Sequence, residues 1–305
     1  MHKTRRQRRR RGVAASLLAV LLLGVVSLPA RAVEYYRQPT VYTRSHNAYE
    51  EVPIDIGGKK FEDGVGARLI DSTTYVPLRS FCEAIADETE DDTLTITFQS
   101  NTRTATVRTD TLNMSVTDGS YYIVANGRYL YHSHPAVILD DNRLYVPIRL
   151  LEKVYSLSVS WQAKTRSVKV DGTPRALESG DSFYDENDLY WLSRIISAES
   201  RGEPLLGQIA VGNVVMNRVK SPAYPNSIYG VIFDFRYGTQ FTPAATGGIY
   251  AKPAPISVIA AKICLDGFSV SDKAIFFYEP TIATSHWIAK NCKYLFTIGA
   301  HWFYY

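Results

Sequence analysis

Glu199 is the residue whose type and place point most directly to chemistry. Leu189, Leu192, Ile195 and Ile196 recur at helical spacing and form one apolar stripe. The next position on that stripe is this glutamate. A carboxylate on the apolar side of a helix is poorly solvated, and burial without a cation disfavours its charged form. A carboxyl group that keeps its proton near neutral pH can act as a general acid. Breaking a glycosidic bond needs such an acid, because the leaving oxygen must be protonated as it departs. The plainer alternative is a helix-end glutamate that reaches outward or pairs with Arg194 or Arg201.

The elements around it follow from the same text. Asp185 or Asn187 can cap the helix that carries Glu199. Residues 197–204 close that helix and open another, with Gly202 as the expected stop and Pro204 in the next first turn. The second helix runs to about Val219 and buries Leu206, Ile209, Ala210, Val214 and Val215. Asn213 and Asn217 lie four apart on another of its faces. Glu203 can cap that helix, where a carboxylate favours the N-terminus, or it can support Glu199. A Gly-rich loop spans Tyr237 to Gly248, and long loops in compact domains are often functional.

The sequence from residue 184 to 305 resembles the cell-wall hydrolase family typified by the spore-cortex-lytic enzyme SleB. The resemblance is carried by AESRGEP (198–204), GQIAVGNVVMNRV (207–219), YP (224–225), GVIF (230–233), QFTPAATGG (240–248), AIFFYEP (274–280), Trp287 and IGAHWFYY (298–305), in order. It implies a lysozyme-like α+β domain that cuts peptidoglycan glycan strands between N-acetylmuramic acid and N-acetylglucosamine. It places the catalytic carboxyl at Glu199, acting first as acid and then as base, with no second carboxylate required as nucleophile. It implies a saccharide cleft lined by Gln240, Phe241 and Thr242, with Glu203, Tyr278 and Trp287 as further substrate contacts. Phe241 has core packing as its alternative. His301 is expected to fix the terminal strand by hydrogen bonding, and His286 to lie on the surface. No cofactor and no metal are expected. Members of this type usually carry a helical wall-binding module before the catalytic domain, and here a β-rich module stands in its place, so vegetative wall and spore cortex are both open as targets.

That module shows period-two alternation in short runs such as Leu94–Phe98, Ala105–Arg108 and Ser158–Trp161. It also repeats. Tyr75–Arg79 (YVPLR) returns as Tyr145–Arg149 (YVPIR), each followed by a short helical piece, and Phe98-Gln99 and Thr102-Arg103 are echoed by Trp161-Gln162 and Thr165-Arg166. These phrases resemble the copper amine oxidase N-terminal-like stalk domain of bacterial surface proteins, over 51–172. Its two histidines, His132 and His134, have no third ligand at a telling distance, so copper chemistry is not expected and a spacer or wall-contact role is. The whole is expected to be an α+β chain with residues 33–50 as connector, 51–172 as a duplicated β-rich stalk, 173–183 as linker and 184–305 as catalytic domain.

The first 32 residues hold seven cations before Val13, an apolar run to Leu28 and an A-x-A exit at Ala30 to Ala32. This is the pattern of a secretory signal peptide cleaved near Ala32, which implies secretion to the wall with no stable membrane span afterwards. Its removal takes eight cations and no acid, turning the net charge of +4 into −4. The basic footprint of a nucleic-acid binder goes with it. Three cysteines do not form a disulfide framework; Cys264 and Cys292 can pair, or all three are buried small hydrophobes. Two rival readings remain. A zinc-dependent amidase would need three or four ligands from His286, His301, Glu199, Glu203, Cys264 and Cys292, but no H-E-x-x-H occurs. A non-catalytic wall-binding protein would keep the same surface without using Glu199.

Overall fold

The computed structural model describes residues 45–61, 66–236 and 238–305. The expected signal peptide and most of the expected connector lie outside these residues, as does Tyr237. The connector's last residues are not free: Glu50 opens strand β1 (Glu50–Val52), which pairs with β4 (Ala67–Ile70), and Tyr49 packs on a small apolar cluster.

The duplicated region is built by two copies facing each other. In the first, β5 (Thr73–Pro77) runs straight into α1 (Leu78–Thr89), then β6 (Thr95–Gln99) and β7 (Thr104–Arg108). In the second, β12 (Leu144–Pro147) runs into α2 (Ile148–Tyr155), then β13 (Ser158–Gln162) and β14 (Ser167–Asp171). The repeated Tyr-Val-Pro phrases pair with one another: Val76 lies opposite Val146, Tyr75 opposite Pro147 and Pro77 opposite Tyr145. Each proline has no N–H to give a ladder, so each ends its strand and sits at the N-cap of its helix. The two tyrosines are fully buried, and each phenol finds an acceptor: Tyr75 donates to Pro135 O and Tyr145 to Asp141. The helices close alike, with Glu90 and Ser156 in the left-handed region. Between the copies, β8 (Asn113–Thr117), β9 (Tyr122–Ala125) and β10 (Arg128–Tyr131) extend the first copy's sheet, while β2 (Ile54–Ile56) and β3 (Lys59–Lys60) extend the second's. One core joins Phe81, Ile85, Leu151, Val154, Val107 and Val168.

The C-terminal part changes to helices, as the switch of period requires. Two long helices, α4 (Glu186–Ser200) and α5 (Leu205–Lys220), pack with α6 (Ile228–Ile232) and α8 (Pro255–Leu265). A three-stranded sheet, β15 (Phe276–Tyr278), β17 (His301–Tyr304) and β16 (Tyr294–Ile298), covers one side. The chain is thus α+β, with a β-rich half ahead of a helical half. Among the described residues no helix is long and apolar enough to cross a membrane.

The expected linker is not a loose tether. Its Leu177 is buried in the β-rich core, and its residues Gly180–Phe183 form the short helix α3. The β9–β10 turn grips it: Gly180 N donates to Asn126 O at 2.7 Å and Asn126 Nδ2 donates to Leu177 O at 2.8 Å. A side chain on Gly180 would meet the carbonyl of Gly127 at 2.7 Å, which is why glycine stands there. Strand β10 then lies on α8. Arg128 forks onto Asp266 Oδ1, through Nε at 2.9 Å and Nη2 at 2.5 Å. The Tyr184 hydroxyl donates to the other oxygen of Asp266, and Arg128 stacks on Phe183 at 3.5 Å. Tyr131 enters the helical core against Phe268, with ring centres 4.4 Å apart. The Asp266 side chain is only 2% exposed. Removing one partner of a buried ion pair typically costs about 3–5 kcal/mol, because the other charge stays buried. Asp266→Asn is therefore expected to lower stability by an amount near the lower end of that range, since Tyr184 keeps a partner. Urea unfolding of the two proteins, followed by circular dichroism, measures it.

Candidate active site

The helix α4 starts where the Asp185 carboxylate accepts from Asp188 N at 2.9 Å, and Leu192, Ile195 and Ile196 are fully buried along its stripe. Glu199 continues the stripe and is half-buried at the wall of a cleft of about 830 Å³. Its end of the helix is held firmly: Ser197 Oγ accepts from Ala254 N and Arg201 donates to Lys252 O. Gly202 does not supply the stop. Arg201 keeps right-handed angles at the C-cap, and Pro204 forces the break at the start of α5 instead.

Helix α5 lies close against α4 and α8 because Gly212 has no side chain. A Cβ there would meet Cys264 Sγ at 2.7 Å and Ile196 Cδ1 at 2.8 Å. The two asparagines singled out by spacing turn out to be brackets. Asn213 donates to Phe268 O and accepts from Val270 N, while Asn217 donates to Ser271 O and Ala274 O. Together they bind the segment that leads into β15, and Arg218 Nε adds a bond to Ile275 O at 2.8 Å. This places Phe276, Phe277, Tyr278 and Glu279 in the lining of the cleft that Glu199 also lines.

The cleft gathers Glu199, Gln240, Thr242, Tyr278 and Trp287, five of the seven side chains expected at a site. Trp287 is 57% exposed and its ring stands edge-on to Phe276, a free face of the kind that sugars stack on. Burial pushes the Glu199 carboxyl up to about 7, and the nearby Arg218 charge pulls the other way. Among the described residues nothing hydrogen-bonds its carboxyl, so it is free to reach into the cleft.

Two expected substrate contacts are elsewhere. Phe241 is 2% exposed; it packs in the helical core facing Phe277, so its ring offers no stacking face. Glu203 does not line the cleft. It reaches under the β16–β17 turn, where its Oε2 accepts from Ala300 N at 3.1 Å. Gly299 adopts φ +55° there, and a Cβ would sit 1.7 Å from that oxygen. Glu203 therefore fastens a turn, and its backbone oxygen accepts from the buried Gln208 side chain. His301 makes no strand-fixing bond: its buried Nδ1 has no hydrogen-bond partner and lies 4.0 Å from Glu203, and the ring lines the cleft. Burial holds its pKa down. His286 is exposed, as expected.

Arg218, Tyr224, Asp234 and Glu279 also line the cleft and went unread in the sequence. Arg218 carried a legible signal: Val211, Val214 and position 218 follow one buried stripe, so its charge interrupts an apolar face as Glu199 does. Asp234 lies in a loop with no period to betray it, and Arg236 grips both its oxygens at 2.9 Å. All three cysteines are free, with Cys82 and Cys264 buried and Cys292 half-buried, so Cys264 and Cys292 do not pair. Among the described residues no group of three or more His, Cys, Asp or Glu is arranged to hold a metal.

Two outcomes follow from this geometry. Glu199 has a higher pKa folded than unfolded, so its ionisation costs native stability progressively as pH rises from about 4.5 to about 7. Glu199→Gln is expected to raise the melting temperature by a few degrees at pH 8 and to change it little at pH 4, as calorimetry at the two pH values can check. Glu203→Ala removes a charge-assisted bond to a backbone N–H and is expected to cost about 1.5–3 kcal/mol in urea unfolding.

Comparison with known proteins finds similarity to two families. The model of the Cell Wall Hydrolase family matches residues 202–304, and that of the copper amine oxidase N-terminal domain matches residues 55–170. A spore cortex-lytic enzyme of Bacillus cereus is 40% identical over 120 residues, which is 39% of this chain and 45% of that protein. That of Bacillus subtilis is 38% identical over 105 residues, covering 34% and 33%. The chain thus spans less than half the length of these relatives. The solved catalytic domain of the germination-specific lytic transglycosylase SleB from Bacillus anthracis is 36% identical; the match covers 42% of this chain and 100% of that one, with a TM-score of 0.37. The C-terminal third of the chain is thus similar to cell wall hydrolases, and the region before it to the copper amine oxidase N-terminal domain.

Proposed function

We propose that this protein is an exported peptidoglycan-lytic enzyme that cleaves the bond between N-acetylmuramic acid and N-acetylglucosamine, as a lytic transglycosylase or muramidase. The observation that carries the reading is Glu199: a carboxyl pushed up to about 7, without a hydrogen-bond partner among the described residues, in a cleft with exposed aromatic and hydroxyl groups. Residues 1–32 serve as the signal peptide, 51–172 as a stalk with a wall-contact role, and 184–305 as the catalytic domain. The site of action is the cell wall, with spore cortex favoured by the relatives named above.

The chemistry uses one carboxyl group twice. Glu199 gives its proton to the bridging oxygen as the bond from C1 of muramic acid breaks, and positive charge develops at C1 and the ring oxygen. The carboxylate left behind then accepts the proton of the hydroxyl that attacks C1. If that hydroxyl is the sugar's own C6–OH, an anhydro end forms; if it is water, a reducing end forms. Trp287 and Tyr278 offer faces to the sugars' apolar sides, and Gln240 and Thr242 offer polar contacts. Asp234, bound on both oxygens by Arg236, is not available as a second base.

General acid catalysis contributes roughly 10²–10⁴-fold. Glu199→Gln should lose at least that much solubilisation of purified sacculi while still binding them. The wild type should lose activity as pH rises through about 7, where Glu199 gives up its proton. Mass spectrometry of the released muropeptides identifies the bond cut: amidase products, or full activity in the Gln variant, would refute the reading.

A further inference from the structure

Arg218 is a buried charge that makes no salt bridge among the described residues. It is 4% exposed and stands in the cleft wall beside Glu199. Its Nε is used on Ile275 O, but its buried Nη1 has no hydrogen-bond partner. The rings of Tyr224, Phe241 and Phe276 surround it at 5.1 to 5.6 Å. A guanidinium does not deprotonate in proteins, and a desolvated charge is costly unless it is matched.

None of the groups facing it hydrogen-bonds it, although the Asp234 carboxylate acts on its charge from a distance. From the loop after α6, Asp234 is held on both oxygens by Arg236. From the sheet side, Glu279 accepts from Thr281, and His301, whose charged form burial disfavours, offers no negative charge. Tyr224 supplies a phenol. From α4, Glu199 carries its proton in the acid form that starts the reaction. A new negative charge arises beside Arg218 when that proton has passed to the bridging oxygen.

We propose that Arg218 is a positioning residue for Glu199, held in the cleft wall to stabilise the carboxylate that exists between proton donation and proton return. The inference rests on the role given to Glu199 above. In the first step the Glu199 O–H bond breaks, its proton bonds to the bridging oxygen, and the C1–O electron pair leaves with that oxygen. Arg218 and the new carboxylate then form a neutral pair beside the positive sugar. In the second step the attacking hydroxyl bonds to C1 and its proton returns to Glu199, restoring the starting charges.

The test is the pH profile of kcat/KM for glycan cleavage in wild type, Arg218→Met, Arg218→Lys and Glu199→Gln, with melting curves for each. Loss of the cation makes the carboxylate harder to form. Arg218→Met should lower kcat at least tenfold with a smaller change in KM, and should move the alkaline limb up by about one pH unit. Arg218→Lys keeps a cation and should leave the limb near its wild-type place. A folded Met variant with an unmoved limb would overturn the proposal. Should the Met variant fail to fold, the Lys variant decides: activity well above that of Glu199→Gln supports the role of charge, and equal inactivity in a protein that melts like wild type overturns it. Full activity in Glu199→Gln would instead defeat the reading of Glu199 itself.

Discussion

A carboxyl group kept away from water at the end of an apolar helix stripe is the constraint on which the rest of the molecule is organised. Desolvation alone would place Glu199 well above the usual carboxylate range; the Arg218 charge in the same wall opposes it, and the balance settles at about 7. That balance depends on close walls. Gly212 lets α5 approach α4 and α8 at a distance that any side chain would forbid. Asn213 and Asn217 then tie the strand entry to α5 by its backbone, so the aromatic wall is set by hydrogen bonds rather than by loop chance. Loosening either contact would admit water beside Glu199 and return its pKa toward the ordinary value.

Much of this arrangement was legible in the sequence where periodicity carries the information. The two long helices, the stripe leading to Glu199 and the paired Tyr-Val-Pro phrases are repeating patterns, and repeating patterns report which side of an element is buried. The failures share another cause. Phe241 and Glu203 were given roles by their place in a motif, yet a motif does not say which way a side chain turns. Phe241 turns inward at the first residue before α7 (Thr242–Thr246), and Glu203 turns toward a β-turn almost a hundred residues away. Arg218 is the reverse case: its signal is present, as a charge on the buried stripe of Val211 and Val214. Asp234 and Glu279 reach the cleft through tertiary contacts alone, which no local pattern encodes.

The junction between the halves is more ordered than its composition suggests, for a physical reason. Pro, Gly and polar residues at 173–183 have the composition of a tether, and composition reports solubility better than it reports docking. Here the backbone of the segment is hydrogen-bonded to the β9–β10 turn, and a glycine is placed where two backbones cross. The tyrosines of β9 and β10 complete the contact by covering the helical core, with Tyr131 fully part of it.

This junction reaches the cleft through a single helix. Asp266 is the C-cap of α8, a place where the helix dipole disfavours a negative charge. Burial adds to that cost. Arg128 from β10 and the hydroxyl of Tyr184 offset both, so the β-rich half contributes to holding the end of α8. The same helix packs its Cys264 against Gly212 and supports α4 along its length. The β-rich half is therefore not a passive spacer in the architecture: it offsets the charge at the end of the helix against which the helix of Glu199 is packed.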